Sequence, residues 1–433
     1  METVLRLVVI VVLVVAAFFL LFYTRKEEGR AVQTITVQAA ATDTAKEKVN
    51  VKPVLYIASP ANPHWQALLY DYENFLQRAL DKNQAPGVAV AIVQDSSVVY
   101  ASGLGFRDVD TQTPVDVHTV FRLGSVSKSF AGVLTARLVQ EGTLRWSDKV
   151  IDYFPGFRLK LQASTDSLTL AHLLSHTSGL PYHAFTDRVD DGAHFDTLVY
   201  HLRDLNLTGP PGKIYSYQNV AFSVISKVIE SATGKSYEQV MIEKIFMPLQ
   251  MLESSLNYEA LLSTPDKASP HQRTRKGWRS LAISPTYYNV GPAGGVNASI
   301  GDMARWLKTL TNPYDTLLLP TSKEEMFAPQ VKAIARNRHF RKWKRSRGSY
   351  YAHGWRVLTF KDDTVNYHGG YVNGFRSEVA IKPNDRLGIA VLVNSPGPLA
   401  DHAIPEFLRL YELYRVRIQS WKMEQPKPLP ANE

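Results

Sequence analysis

The sequence predicts an α/β (α+β) fold in which one antiparallel sheet is built from both ends of the folded region and flanked by helices. An all-helical lobe is inserted between the halves of that sheet, and one transmembrane helix precedes the whole. Three observations carry this reading. Strand-like runs cluster near the start of the folded region and return near its end. Between them, apolar residues recur mainly at helical spacing, with loops marked by Pro and Gly. Ahead of everything stands Leu7 to Tyr23, an uncharged and mostly apolar run of 17 residues.

That run, extended by Val4 and Leu5 past Arg6, is near the minimum for a spanning helix. A cleaved signal peptide is the competing reading, but Ala16-Ala17 continues into Phe18-Phe19-Leu20-Leu21-Phe22-Tyr23 without a clear small-residue cleavage site. Residues 1–24 are therefore expected to be an uncleaved signal anchor, with the membrane contact through residues 4–23. Arg6 on one side and Arg25-Lys26, offset by Glu27-Glu28, on the other give little orientation; the bulk is expected on the extracytoplasmic side, as a single-pass membrane protein. Residues 25–62 lack a firm period and read as a tether.

The folded domain is expected over residues 63–420, with 421–433 as a tail. Trp65 to Leu80 carries apolar residues at helical spacing, and Val88 to Val93 with Val98 to Ser102 form a hairpin around Gln94-Asp95-Ser96. Helical runs follow at Val126 to Gly142, Leu168 to Leu174, Val220 to Ser231, Tyr237 to Ile245 and Ile300 to Leu310. Strand-like runs then return at Gly354 to Leu358, Thr364 to Tyr367, Phe375 to Ile381 and Leu387 to Val393, closed by a helix over Ile404 to Tyr414.

With 433 residues, 45% of them apolar, the chain can bury a large core. The formal charge of +9 is local, because Lys332–Arg347 holds eight basic residues and no acidic one, which leaves about +1 elsewhere. This patch fits contact with an anionic surface, or a solvated loop, better than a nucleic-acid groove. The absence of cysteine excludes disulfides, thiol catalysis and cysteine zinc sites.

The chemistry centres on Phe121-Arg122-Leu123-Gly124-Ser125-Val126-Ser127-Lys128, where a serine and a lysine stand three apart at the start of a helix. Ser125 gains the positive end of the helix dipole and free N–H groups, and Lys128 lies one turn on, on the same face. A serine hydroxyl needs a neighbour that takes its proton, and Lys128 can do that. Taken alone, Ser125 could equally be an N-cap.

Two further stretches supply the missing groups. Tyr217-Gln218-Asn219 precedes a helical run; a phenol near a lysine ammonium is pushed toward phenolate, so Tyr217 is a candidate general base, while the Asn219 amide can orient a substrate carbonyl. A core aromatic and a helix cap fit the same residues, and Tyr215 is the second candidate base. His368-Gly369-Gly370-Tyr371 ends a strand with two glycines that let backbone or ligand come close. His368 would donate a proton or bind a substrate carboxylate, and the Tyr371 amide would pair with that of Ser125 as an oxyanion hole. An ordinary histidine in a Gly-Gly turn is the alternative.

Ser125-x-x-Lys128, Tyr217-x-Asn219 and His368-Gly369-Gly370, in that order, resemble the active-site motifs of the serine β-lactamase and penicillin-binding-protein superfamily, in its class C β-lactamase-like branch. The flanks Gly103 to Asp108, Leu173 to Pro181 and Gly291-Pro292-Ala293-Gly294-Gly295 agree, and the likeness runs from about Tyr70 to about Tyr411. The resemblance implies a sheet lobe with an all-helical lobe, and acylation of Ser125 by a carbonyl substrate followed by hydrolysis or transfer. It makes Ser125 the nucleophile, Lys128 and Tyr217 the proton-handling pair, and Asn219 a substrate-binding group, with His368, Gly369 and Gly370 bordering the binding strand. Efficient class C β-lactamases of this group generally carry lysine where His368 stands, whereas its peptidases and esterases often carry histidine, which implies weak or no β-lactamase activity.

The sequence thus describes a membrane-tethered serine hydrolase without metal or cofactor, acting on a small molecule or peptide. A peptide or amide with a D-residue or of cell-wall origin fits; a small ester is the close rival, and a non-catalytic scaffold on the same fold is the third possibility. No nucleic-acid partner is expected. His172 and His176 read as structural, since no His-Glu-x-x-His or third ligand accompanies them.

Overall fold

The computed structural model describes residues 61–333, 343 and 346–424. The apolar run at residues 4–23, nearly all of the tether and most of Lys332–Arg347 lie outside these residues. Among the described residues, no helix is long and apolar enough to cross a membrane.

The first helix, Pro63–Asp81, starts on Asn62, whose side chain accepts the His64 N–H at 2.9 Å, with Pro63 at a first-turn position that needs no donor. Its apolar face buries Trp65, Leu68, Tyr72 and Leu76 at three- and four-residue spacing. The strands follow in chain order as β1 (Gly87–Gln94), β2 (Ser97–Asp108), β3 (Thr113–Pro114), β4 (Val120–Arg122), β5 (His271–Thr274), β6 (Gly277–Ser280), β7 (Asn297–Ser299), β8 (Val331–Lys332), β9 (Gly348–Tyr351), β10 (Arg356–Thr359), β11 (Thr364–Val372), β12 (Phe375–Lys382) and β13 (Leu387–Val393).

Nine of them form one sheet in the order β3-β2-β1-β13-β12-β11-β10-β9-β8. The seam between the chain ends is antiparallel, with Val88 opposite Val393 and Gln94 opposite Leu387. Both strands at the seam are buried along their whole length, which explains their continuous apolar runs. In β1, Ala89, Ala91 and Val93 face one core, while Val88, Val90 and Ile92 face the other. The second core is closed by the first helix and the last, Pro398–Glu424, where the Tyr72 and Phe407 rings meet edge to face at 5.3 Å.

The first core is centred on the helix Ser127–Gln140, where Phe130 stacks on Trp306 at 4.3 Å. Gly132, a weak point in the helical pattern, has a packing cause. A Cβ there would sit 2.3 Å from the His353 carbonyl, and one on Gly354 would sit 2.3 Å from the Lys128 carbonyl. The helix and the β9–β10 turn therefore cross at backbone contact, which only glycine permits.

The structure departs from the sequence reading in three places. The closing helix begins at Pro398 and runs to Glu424, through the start of the expected tail, because Ile418 is still buried and its carbonyl accepts the Asn62 amide at 3.1 Å. The helical run after Tyr217 is two helices, Asn219–Ser223 and Ile225–Thr233. The insert also holds two small antiparallel pairs, β4 with β7 and β5 with β6, too short to show a period of two.

Candidate active site

The Ser125 hydroxyl stands on a 3-10 turn, Gly124–Val126, that runs directly into the helix Ser127–Gln140. Lys128 is completely buried beside it. Its Nζ donates to Asn219 Oδ1 at 2.8 Å and to the Ala293 carbonyl at 2.9 Å, and lies 3.3 Å from Ser125 Oγ. Neither the amide oxygen nor the carbonyl can give a proton back, so two of the amine's directions are spent on acceptors and the third points at Ser125. Burial, and then the charge of Arg356, hold the Lys128 amine well below the usual lysine range.

Tyr217 reaches the same point from the loop that leads into Asn219–Ser223. Its hydroxyl shares a hydrogen bond with the Ser125 side chain, and the Lys128 Nζ lies 4.7 Å from the centre of its ring. Burial pushes the phenol well above its ordinary range, against the smaller downward pull of Arg356 and of Ser125. The drift toward phenolate expected from the sequence is therefore reversed, because desolvation of the ring outweighs the nearby cations. Asn219 is the first residue of its helix, and the cap is Gln218, whose side chain accepts the Val220 N–H at 3.0 Å.

Strand β11 passes on the other side of Ser125. A Cβ on Gly370 would lie 2.1 Å from the Leu123 carbonyl and 3.0 Å from the Ser125 nitrogen, and one on Gly124 would lie 3.1 Å from the Tyr371 nitrogen. Gly124 also holds φ at +50°, so both glycines are required for the Ser125 turn to lie against the strand. This contact brings the Ser125 and Tyr371 amides to the same edge. Gly369 faces away, toward the Tyr367 hydroxyl and Glu378. His368 is buried, its Nε2 2.9 Å from the Tyr351 hydroxyl and its Nδ1 3.0 Å from the Gly369 carbonyl. Strand alternation puts His368 on the same face of β11 as Gly370, and its ring is enclosed there rather than open to solvent.

The structure brings Ser125, Lys128, Tyr217, Asn219 and the Gly370–Tyr371 backbone together, with His368 buried on the Gly370 face of the strand against Tyr351. Sequence reasoning missed four contributors. The Ala293 carbonyl lies within the Gly-Pro-Ala-Gly-Gly flank, which was a signal, but a backbone acceptor has no side-chain signature. His176, read as structural, packs its ring at a tilt 4.1 Å from the Tyr217 ring and its Nδ1 accepts the Gln218 N–H at 3.2 Å, so it props the Tyr217 stretch. Tyr351 and Arg356, from the β9–β10 hairpin, carried no signal. His172 completes a capping box with Thr169, as a structural residue does.

Comparison with known proteins bears on the family and the fold. A family model described as Beta-lactamase matches residues 72–412. Protein flp of Staphylococcus aureus (strain MW2) is 24% identical over 338 residues, covering 74% of this chain and 62% of that protein. Unguisins hydrolase ungD of Aspergillus violaceofuscus is 26% identical over 371 residues, covering 75% of this chain and 61% of its own length. The chain thus spans about three fifths of the length of these relatives. Among solved structures, the octameric penicillin-binding protein homologue from Pyrococcus abyssi superposes with a TM-score of 0.67 at 25% identity, over 80% of this chain and 77% of that one. The family match covers most of the chain, and the chain belongs to the beta-lactamase family.

Proposed function

We propose that the protein is a membrane-tethered serine hydrolase that works through an acyl-enzyme on Ser125. The observation that carries this is the buried Lys128 amine, which points at Ser125 Oγ with its other directions held by Asn219 and Ala293. Kept neutral by burial, Lys128 takes the Ser125 proton as Oγ attacks the substrate carbonyl carbon. The oxyanion that forms is met by the Ser125 and Tyr371 N–H groups. The Tyr217 hydroxyl gives its proton to the leaving nitrogen or oxygen and is refilled from the Lys128 ammonium; water then repeats the sequence on the acyl-enzyme.

A peptide or amide substrate of the kind handled by penicillin-binding proteins fits this machinery. One observation favours small esters, or amides without a free carboxylate: His368 is enclosed, with Tyr351 and Gly369 at its two nitrogens. Residues 4–23 would hold the domain at a membrane, on its extracytoplasmic side, and Lys332–Arg347 would meet an anionic surface; both rest on the sequence alone.

The test is intact-mass analysis of the full chain and of Ser125→Ala after exposure to a penicillin and, separately, to a fluorophosphonate. A mass gain that needs Ser125 is expected with the fluorophosphonate. A lasting penicillin adduct would favour the peptidase over the esterase. Equal labelling of Ser125→Ala would sink the proposal, and no labelling of the parent chain would favour a non-catalytic scaffold.

A further inference from the structure

Arg356 stands where the known motifs place nothing. It is the first residue of β10, opposite Tyr351 across the β9–β10 hairpin. Its guanidinium carbon lies 5.6 Å from the centre of the Tyr217 ring and 5.5 Å from that of Tyr351, and Nη1 donates to the Tyr215 hydroxyl at 3.1 Å. The Lys128 Nζ lies 4.7 Å from the centre of the same Tyr217 ring, so a guanidinium and the amine share that ring, and Arg356 is a fixed positive charge next to the groups proposed to move protons. Arginine keeps that charge at any physiological pH.

We propose that Arg356 is a positioning residue of the catalytic pair: at the Tyr217 ring that both side chains share, its fixed charge adds to burial in disfavouring a second cation on Lys128, and it steadies the Tyr217 oxygen while that phenol is giving up its proton. The proposal rests on reading Ser125 as nucleophile and Lys128 as its base.

The surroundings agree. Arg356 acts downward on Lys128, Tyr217, His176 and His183 alike, in each case in the same direction as or against a larger effect of burial. Among the described groups that face it are the phenols of Tyr215, Tyr217 and Tyr351, all of which burial pushes up and keeps neutral, so none of these three cancels its charge. Facing Lys128 are Ser125, Asn219, the Ala293 carbonyl and the rings of Tyr217 and Phe222. His176 is likewise held in its neutral form by burial, and His368 sits behind it against Tyr351. Arg356 is therefore a charged group of this cluster whose charge does not depend on pH. It also ties the hairpin to the Tyr215–Tyr217 loop, so charge and placement come from one side chain.

The experiment is the pH profile of fluorophosphonate labelling at Ser125, read by rate, in the full chain, in Arg356→Gln and in Arg356→Lys. The proposal expects the acid limb of the Arg356→Gln profile to move up by about one pH unit or more, with the rate recovering at high pH, and the Arg356→Lys limb to stay near that of the parent. Where Arg356→Gln fails to fold, Arg356→Met, which keeps an unbranched stem among the tyrosine rings, carries the same test. A limb that stays in place while the rate drops equally at all pH values would make Arg356 a packing residue and overturn the proposal. A rise in KM confined to substrates with a carboxylate, with an unmoved limb, would make it a substrate anchor and overturn it too. If the parent chain labels at Ser125 with no acid limb, Lys128 is not the base, and that reading fails first and takes this one with it.

Discussion

Lys128 and Lys382 are both buried, 0% and 5% exposed, and the protein treats them in opposite ways. Lys128 is surrounded by an amide oxygen, a backbone carbonyl and aromatic faces, with Arg356 as a further cation, and its amine is held well below the usual range. Lys382, on β12 of the same sheet, is gripped by Asp363 and Asp385, with Glu412 at 3.3 Å. Burial works against its charge too, but the hydrogen bonds it donates to Asp363 and Asp385, together with their negative charges, outweigh burial and hold the ammonium above its ordinary range. The three carboxylates come close enough together to suit a cation, and the Lys382 ammonium is bonded to all of them. One lysine is kept as a base and the other as a charge; counter-ions, not depth, decide which.

The first way to break that comparison is to remove the base. Lys128→Met is expected to lower Ser125 labelling and turnover by about three orders of magnitude or more, since a nucleophile and its base act as a unit. Its stability should stay within about 1 kcal/mol of the parent, because relief of a buried amine offsets two acceptors left without a donor. Thermal melts beside labelling rates check both halves. A melt that collapses would mean that Lys128 is a structural ion after all.

Lys382→Met should do the reverse. Removing the cation leaves the half-buried Asp363 and Asp385 close together with Arg415, 3.8 Å from Asp385, beside them, and breaking this partly buried network from one side costs up to about 3 kcal/mol. Denaturant unfolding should show that loss, while labelling per folded molecule stays at the parent's rate. A loss of activity without a loss of stability would contradict the division of roles.

The lysine of the proposed chemistry was legible in the sequence because its partner stands one helical turn away. Ser125-x-x-Lys128 and Tyr217-x-Asn219 are local patterns, and a local pattern survives being read along the chain. The seam between β1 and β13 was legible as well, since strands buried on both faces are written as unbroken apolar runs. Arg356 was not, because its meaning lies in the Tyr217 ring, which the fold brings to it from a distant loop. The glycine at 132 read as a flaw for the same reason: the His353 carbonyl that demands it belongs to a hairpin far along the chain. Lys382 was passed over too, although Asp385 stands three residues on, because Asp363 and Glu412 come from other elements.

His353 extends the contrast to a group whose burial no opposite charge answers. It stacks on Trp146 at 4.0 Å, and burial pushes its imidazole down to about 4. The neutral ring is favoured in the folded chain, so its contribution is complete above the ordinary histidine range of about 6.5 and is lost as pH falls toward 4, to the extent of about 3 kcal/mol. His353→Phe keeps a ring on Trp146 and removes the titration. Its stability should fall less than the parent's between pH 6.5 and pH 4 when unfolding is followed at both, and parallel losses would assign the acid sensitivity elsewhere.

Lys235 supplies the other limit of the comparison. Its Nζ is only 2.6 Å from Glu243, closer than Glu412 is to Lys382, yet both side chains of this pair are about half exposed. Water solvates each charge whether or not the partner is present, and salt screens what attraction remains. Lys235→Ala should therefore change stability by less than about 1 kcal/mol, and by still less in high salt. If it cost as much as Lys382→Met, distance rather than burial would be setting the strength of these pairs, and the account of Lys128 as a lysine neutralised by its surroundings would lose its physical basis.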